Sequence, residues 1–392
     1  MSKISIICFI ILSFLIGAQN LHPTDVRVCS GEYTSVLGEN ETLLNVKQMT
    51  SKEAMRNAVE KAGTLIISSS EVENYQLVED VIRTYSVNVA KVLEETFSFT
   101  IDNSQIFVKA DVCVEVDLDD LDRAVKEIIE NEKVKDDLEN LRSKNDVLND
   151  RIESLKDSLY TVKSIEEKEQ IHSKIIKEHD KKRANEYLAE AWIVLAQQSS
   201  SVLSEGSTTE ENRRKAENLL LEALALDSEN SEVYRTLGII YMEDGNHQRA
   251  EEHFQKAIEA EPETARHYYS AGLSFYSRGE IQRAMTYFQR AIDMDSTLWF
   301  AMNMMGVCHY EMGEIKKAID FYQKTLSINS NHLGAKYNLG ICYYYRQEYE
   351  LALSAFIDYK ESAKGIKGND QNYSAIADSL IHKIKTNIQY RE

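Results

Sequence analysis

The densest set of groups that could hold a cation is Asp117, Asp119, Asp120 and Asp122. Closely spaced carboxylates suit calcium, but a calcium loop also needs a glycine at its sixth position and an acid at its twelfth. Both are missing, and acids leading into a helix are favoured by its dipole without any ion. His172 and His179 stand seven apart on one helix face, with no acid or thiol nearby to complete a metal site. No HExxH, no glycine-rich phosphate loop, no GxGxxG after a strand and no GxSxG occurs. The residues therefore predict no catalytic role, no cofactor and no metal. Beyond the apolar first residues, Cys29, Cys113, Cys308 and Cys342 form no CxxC, which leaves a structural disulfide or buried thiols. Cys29 and Cys113 sit on strand-like segments and are the candidate pair, provided those strands are neighbours.

What positions side chains in this chain is mostly helix. The 392 residues hold only 2 prolines and 15 glycines, too few for a fold built on frequent turns. The fold class expected is mostly α, with a small N-terminal α/β domain, a long coiled-coil-like helix and a C-terminal helical solenoid. A net charge of −19 disfavours nucleic acid as a partner. Residues 1–18 combine Lys3, an apolar run from Ile4 to Ile16 and small Gly17 and Ala18, the pattern of a cleaved signal peptide. The run is short of the roughly 20 residues that span a bilayer, and no cysteine marks the cut for lipidation. The expectation is a periplasmic or secreted protein with no integral membrane segment.

Residues 19–118 carry the strand signals. Val26 and Val28 open a first strand, Thr96 to Thr100 a second, and Ile106 to Val116 alternate apolar and polar as a third, with hairpin chemistry at Asp102-Asn103. Thr50 and Glu53 have capping-box spacing before one helix; Leu77, Val81 and Val92 mark another. The Ala-rich stretch from Lys52 to Gly63 and the closing VKADVCVEVD resemble the N-terminal domain of flagellar assembly protein T and related envelope domains. That resemblance implies a fold and an envelope setting, not an activity.

Residues 119–186 are charged and aliphatic. Leu138, Asn145, Ile152 and Leu159 at a, with Leu141, Leu148, Leu155 and Val162 at d, make about four heptads. Such a seam needs a partner, either a second copy, with Asn145 selecting a parallel register, or the chain folding back on itself. Self-association is the expectation.

From Ser231 the chain repeats every 34 residues, with units beginning at Ser231, Ala265, Trp299 and Leu333. Gly238, Gly272, Gly306 and Gly340 share one position; Ala250, Ala284, Ala318 and Ala352 another; Phe254, Phe288, Tyr322 and Phe356 a third. This resembles the tetratricopeptide repeat (TPR) family. A divergent earlier unit fits residues 187–230, making about five units over 187–366, and 367–392 read as a capping helix carrying Ile376, Leu380 and Ile384. Lys336, Gln347 and Thr325 depart from the pattern, so the last two units are expected to pack less regularly.

In that family the first helix of each unit lines a concave groove. The resemblance places in it Arg235 and Met242; Tyr269, Leu273 and Tyr276; Phe300, Asn303, Val307 and Tyr310; and Tyr337, Ile341, Tyr344 and Tyr345. Tyrosine combines apolar area with a polar tip, as recognition surfaces do, though some of these rings could pack between helices instead. Residues 231–366 hold 18 acids against 14 bases, and the groove lacks the basic set that grips a terminal carboxylate. The sequence thus points to an exported, non-catalytic scaffold or adaptor binding a protein or peptide. The alternative is an envelope assembly factor acting through coiled-coil oligomerisation, a layout similar to that of periplasmic cell-division proteins which join a coiled coil to repeats.

Overall fold

The computed structural model describes residues 26–36, 43–69, 90–102, 105–117, 132–196, 207–364 and 370–389, together with Ile82, Leu121 and Val125. The expected signal peptide, the start of the second N-terminal helix at Leu77 and Val81, and Asp119, Asp120 and Asp122 lie outside them. The chain forms two compact units, residues 1–226 and 227–392.

In the first unit, β1 (Val26–Val36), β2 (Lys91–Asp102) and β3 (Gln105–Asp117) form an antiparallel sheet in the order β1-β3-β2. The alternation read in the sequence is the pleat of β3: Val108, Ala110, Val112, Val114 and Val116 are all buried. Helix α1 (Leu43–Ser69) covers that face with Val46, Ala54, Ala58 and Val59. It lies so close that a Cβ on Gly31 of β1 would sit 1.9 Å from the Ala54 carbonyl oxygen.

Three expectations change here. Thr50 caps nothing: it lies inside α1, where its hydroxyl donates to the Val46 carbonyl at 2.6 Å and meets the Ser35 hydroxyl at 2.5 Å. Val92 belongs to strand β2, not to a helix. No disulfide joins Cys29 to Cys113. Their strands are neighbours, but the register sets Cys29 opposite Val114 and Ser30 opposite Cys113, so the two thiols point to opposite faces of the sheet.

The aliphatic seam closes within the chain. Helix α2 (Glu132–Thr161) is followed after residues 162–164 by α3 (Ile165–Ala196), which runs back along it. Asn185 Nδ2 donates to Asn145 Oδ1 at 2.8 Å, and Arg151 pairs with Glu178 at 3.4 Å, an antiparallel order. Leu138, Leu141 and Ile152 are buried, and Asn145, Leu148, Leu155, Leu159 and Val162 are half-buried. Within the chain the seam packs against α3, where the Asn145 amide meets the amide of Asn185. Ser164 and Glu167 have capping-box spacing, which starts α3 afresh without a glycine or proline. Arg56 on α1 pairs with Glu53 and, at 3.0 Å, with Glu186 of α3. Lys52 stands 4.8 Å from the Tyr187 ring and 3.6 Å from Glu222 of α4 (Ser207–Leu226). The expected boundary at 186 thus falls inside a compact unit.

The second unit holds four helix pairs: α5 (Ser231–Glu243) with α6 (His247–Ala260), α7 (Ala265–Ser277) with α8 (Ile281–Met294), α9 (Trp299–Glu311) with α10 (Ile315–Ile328), and α11 (Leu333–Tyr345) with α12 (Tyr349–Ser362). One contact repeats in all four. A Cβ on Gly238, Gly272, Gly306 or Gly340 would come within 2.6 to 2.8 Å of the ring of Phe254, Phe288, Tyr322 or Phe356. The missing side chain is the seat of the ring. Gly245, Gly279 and Gly313 turn the chain between paired helices at φ 73 to 76°, and Gln347 does the same at φ 61°.

The irregularity expected of the last two units is absent. Lys336 is buried, yet its ammonium donates to Asp358 at 3.0 Å and to Ser362 at 2.7 Å. Thr325 donates its hydroxyl to the Phe321 carbonyl at 3.0 Å, satisfying it as helix-interior threonines are. The capping helix α13 (Asp370–Gln389) buries Ala377 and Ile384 against the last pair, while Ile376, expected on the buried face, is exposed.

Candidate functional site

The first helices α5, α7, α9 and α11 carry the residues the sequence assigned to a groove, and the structure divides these into two sets. Arg235 is buried and held by Glu232 at 2.7 Å, so it is a packing residue. Tyr269 sits 4.5 Å from Phe300 and 5.8 Å from Phe288, centroid to centroid, and burial pushes its phenol up to about 12. Tyr337 is ringed by Phe356, Tyr359 and Tyr373 at 5.2 to 5.9 Å. The tyrosines expected on one open face therefore do not all stand there: Tyr269 and Tyr337 lean into the helix interfaces. Met242, Leu273, Val307 and Ile341 are half-buried beside the cores of their units.

The second set lies toward the C-terminal ends of the first helices and links one unit to the next. Tyr276 donates its hydroxyl to Glu311 at 2.5 Å, and burial together with that carboxylate raises its pKa. Tyr310 reaches Tyr345 at 6.1 Å between centroids; burial, then the hydrogen bond to Tyr345, pushes it up to about 12. Tyr345 is 64% exposed and stands 6.2 Å from Tyr344, over which Lys383 of α13 lies at 5.9 Å. Each link joins residues 35 apart, one repeat plus one. Asn303, about two turns back along α9 from Tyr310, has its Oδ1 buried. Glu311 was missed by the sequence reading because an acid at a helix end looks like a solvated one. Only the placement of the preceding unit gives it a phenol to accept from.

TPR family models match residues 210–262, 235–298 and 299–332. No curated protein sequence matches the chain. Among solved structures, a crystal structure of MamA is 28% identical, covering 40% of this chain and 91% of its own, with a TM-score of 0.36. YrrB, described as a TPR protein with an unusual peptide-binding site, is 22% identical over 53% of this chain and 97% of its own, at 0.36. PilF of Pseudomonas aeruginosa is 15% identical over 55% and 100%, at 0.42. No described helix is long and apolar enough to cross a membrane. With the glycine–ring contact repeated four times and the family models falling on the first three of those pairs, the chain carries tetratricopeptide repeats.

Proposed function

We propose that the chain is an exported, non-catalytic scaffold that holds a protein or peptide along the first helices of its repeats. The observation that carries this reading is the row Tyr276–Glu311 and Tyr310–Tyr345, amphipathic rings and polar tips at one-repeat intervals along the first helices. Tetratricopeptide repeats serve as protein-interaction scaffolds. Export rests on Lys3 and the apolar run after it.

Cross-linking of the full chain in envelope extract, read by mass spectrometry, tests the reading. Tyr276→Ala with Tyr310→Ala should weaken capture of the partner by about 2 kcal/mol or more, roughly thirtyfold, as lost aromatic anchors do. Undiminished capture by this variant would remove the first-helix face from the reading.

A further inference from the structure

The second helices carry a feature that the groove does not use. Between α8, α9 and α10 lies a cleft of about 870 Å³, within the range of about 300–1,000 Å³ typical of ligand sites. Its walls include Tyr268, Met285, Tyr287, Met305 and Phe321, and Arg290 and Lys317 stand at it, Lys317 paired with Glu314 at 3.0 Å. No residue assigned to the groove lines it. The ring of His309 lies parallel to Phe321 at 5.2 Å, closing the inner wall with a flat aromatic pair.

Charge is the second observation. Together α8 and α10 carry Arg283, Arg290, Lys316, Lys317 and Lys324 against Asp293 and Asp320, in a chain of net charge −19. Their N-cap acids Glu280 and Glu314 pair with Arg283 and Lys317, which leaves Arg290, Lys316 and Lys324 as cations without an ion pair among the described residues. The second helices on either side have the opposite balance: α6 holds two bases and three acids, and α12 one base and three acids. Among the described residues Arg290 has no carboxylate in ion-pair range; its guanidinium stands 6.0 Å from the Tyr268 ring. Lys324 likewise stands 5.2 Å over Phe321.

We infer that this cleft is a second docking surface, for a segment of a protein partner that presents an apolar or aromatic side chain next to a carboxylate. The methionines and rings would take the apolar group, since polarizable thioethers adapt to varied shapes. Arg290 would take the carboxylate, at a place where the chain's overall negative field is locally reversed. Asp293 at the rim of the cleft works against a continuous run of phosphates, which favours a peptide over a nucleic acid.

Selection of a randomised dodecapeptide phage library on the immobilised full chain tests this. The expected winners pair Asp or Glu with a neighbouring Phe, Trp, Tyr, Leu or Met. A synthetic winner should lose at least tenfold in affinity on Arg290→Glu. It should lose as much on Thr286→Trp, which fills the cleft from an exposed position. Its affinity should hold on Tyr276→Ala with Tyr310→Ala, so that failure of the cleft and failure of the groove read differently. Three results would overturn the inference: no selected peptides, winners without the acid and apolar pair, or winners indifferent to both cleft variants. Tighter binding of a twelve-nucleotide oligothymidylate at the same cleft would overturn the peptide assignment.

Discussion

The helical hairpin α2–α3 and the repeat pairs of the second unit are both antiparallel helix pairs, but they specify their partners differently. In a repeat pair the partner is written locally. Gly306 leaves a hole that only a ring can fill, and Tyr322 arrives in it sixteen residues later across a tight turn at Gly313. In the hairpin, α2 offers an aliphatic stripe from Leu138 to Val162 that any helix with a matching stripe could cover. What selects α3 is the break at residues 162–164 and the meeting of Asn145 with Asn185. A shape lock names its key, whereas a stripe does not.

Removing the stripe should have the largest effect. Leu141→Ala with Ile152→Ala deletes two buried side chains, and at about 2–5 kcal/mol each the pair should melt the hairpin, seen by circular dichroism. Mass by light scattering should be the same for parent and variant. A parent dimer that becomes a monomer would show that the stripe serves a second copy after all. Next comes the lock: Gly306→Ala sets a Cβ about 2.6 Å from the Tyr322 ring. That overpacking should cost about 1–3 kcal/mol in urea unfolding, and Gly306→Ala with Tyr322→Leu should recover part of it.

The amide pair sharpens the comparison further. Asn145→Leu leaves the Asn185 side chain buried without its acceptor and should cost about 1–2 kcal/mol. Changing both to Leu should restore or exceed the original stability. A double-mutant cycle with no coupling would mean the two amides do not meet. The smallest effect is expected at the last turn. Gln347 adopts φ 61° where the other three units use glycine, and left-handed backbone costs a residue with a Cβ roughly 1 kcal/mol. Gln347→Gly should therefore raise the unfolding free energy slightly, by about 0.5–1 kcal/mol, read in urea unfolding.

Much of this was legible. The 34-residue period, the seats at Gly238, Gly272, Gly306 and Gly340, the pleat of β3 and the positions of the seam all follow from side-chain periodicity, because a buried face must repeat with its element. The end of α2 was not read: Ser164 and Glu167 have capping-box spacing, but without a glycine or proline the stretch looks like one continuous helix. The misplacements have physical causes too. Thr50 and Glu53 mimic a helix start because a hydroxyl can bond backward along a helix as well as cap it. Lys336 and Thr325 looked like defects because their partners, Asp358 with Ser362 and the Phe321 carbonyl, are supplied by the folded surroundings.

What the sequence by itself determined was which faces are apolar and where the chain repeats, since both depend only on spacing along one element. Which face meets which was decided by the tertiary structure. It put Cys29 and Cys113 on opposite sides of one sheet, turned Tyr269 and Tyr337 inward while leaving Tyr345 in water, and gave the α2 seam to α3. Those outcomes rest on register, on crossing geometry and on competition among equally apolar partners, none of which is a property of a single segment.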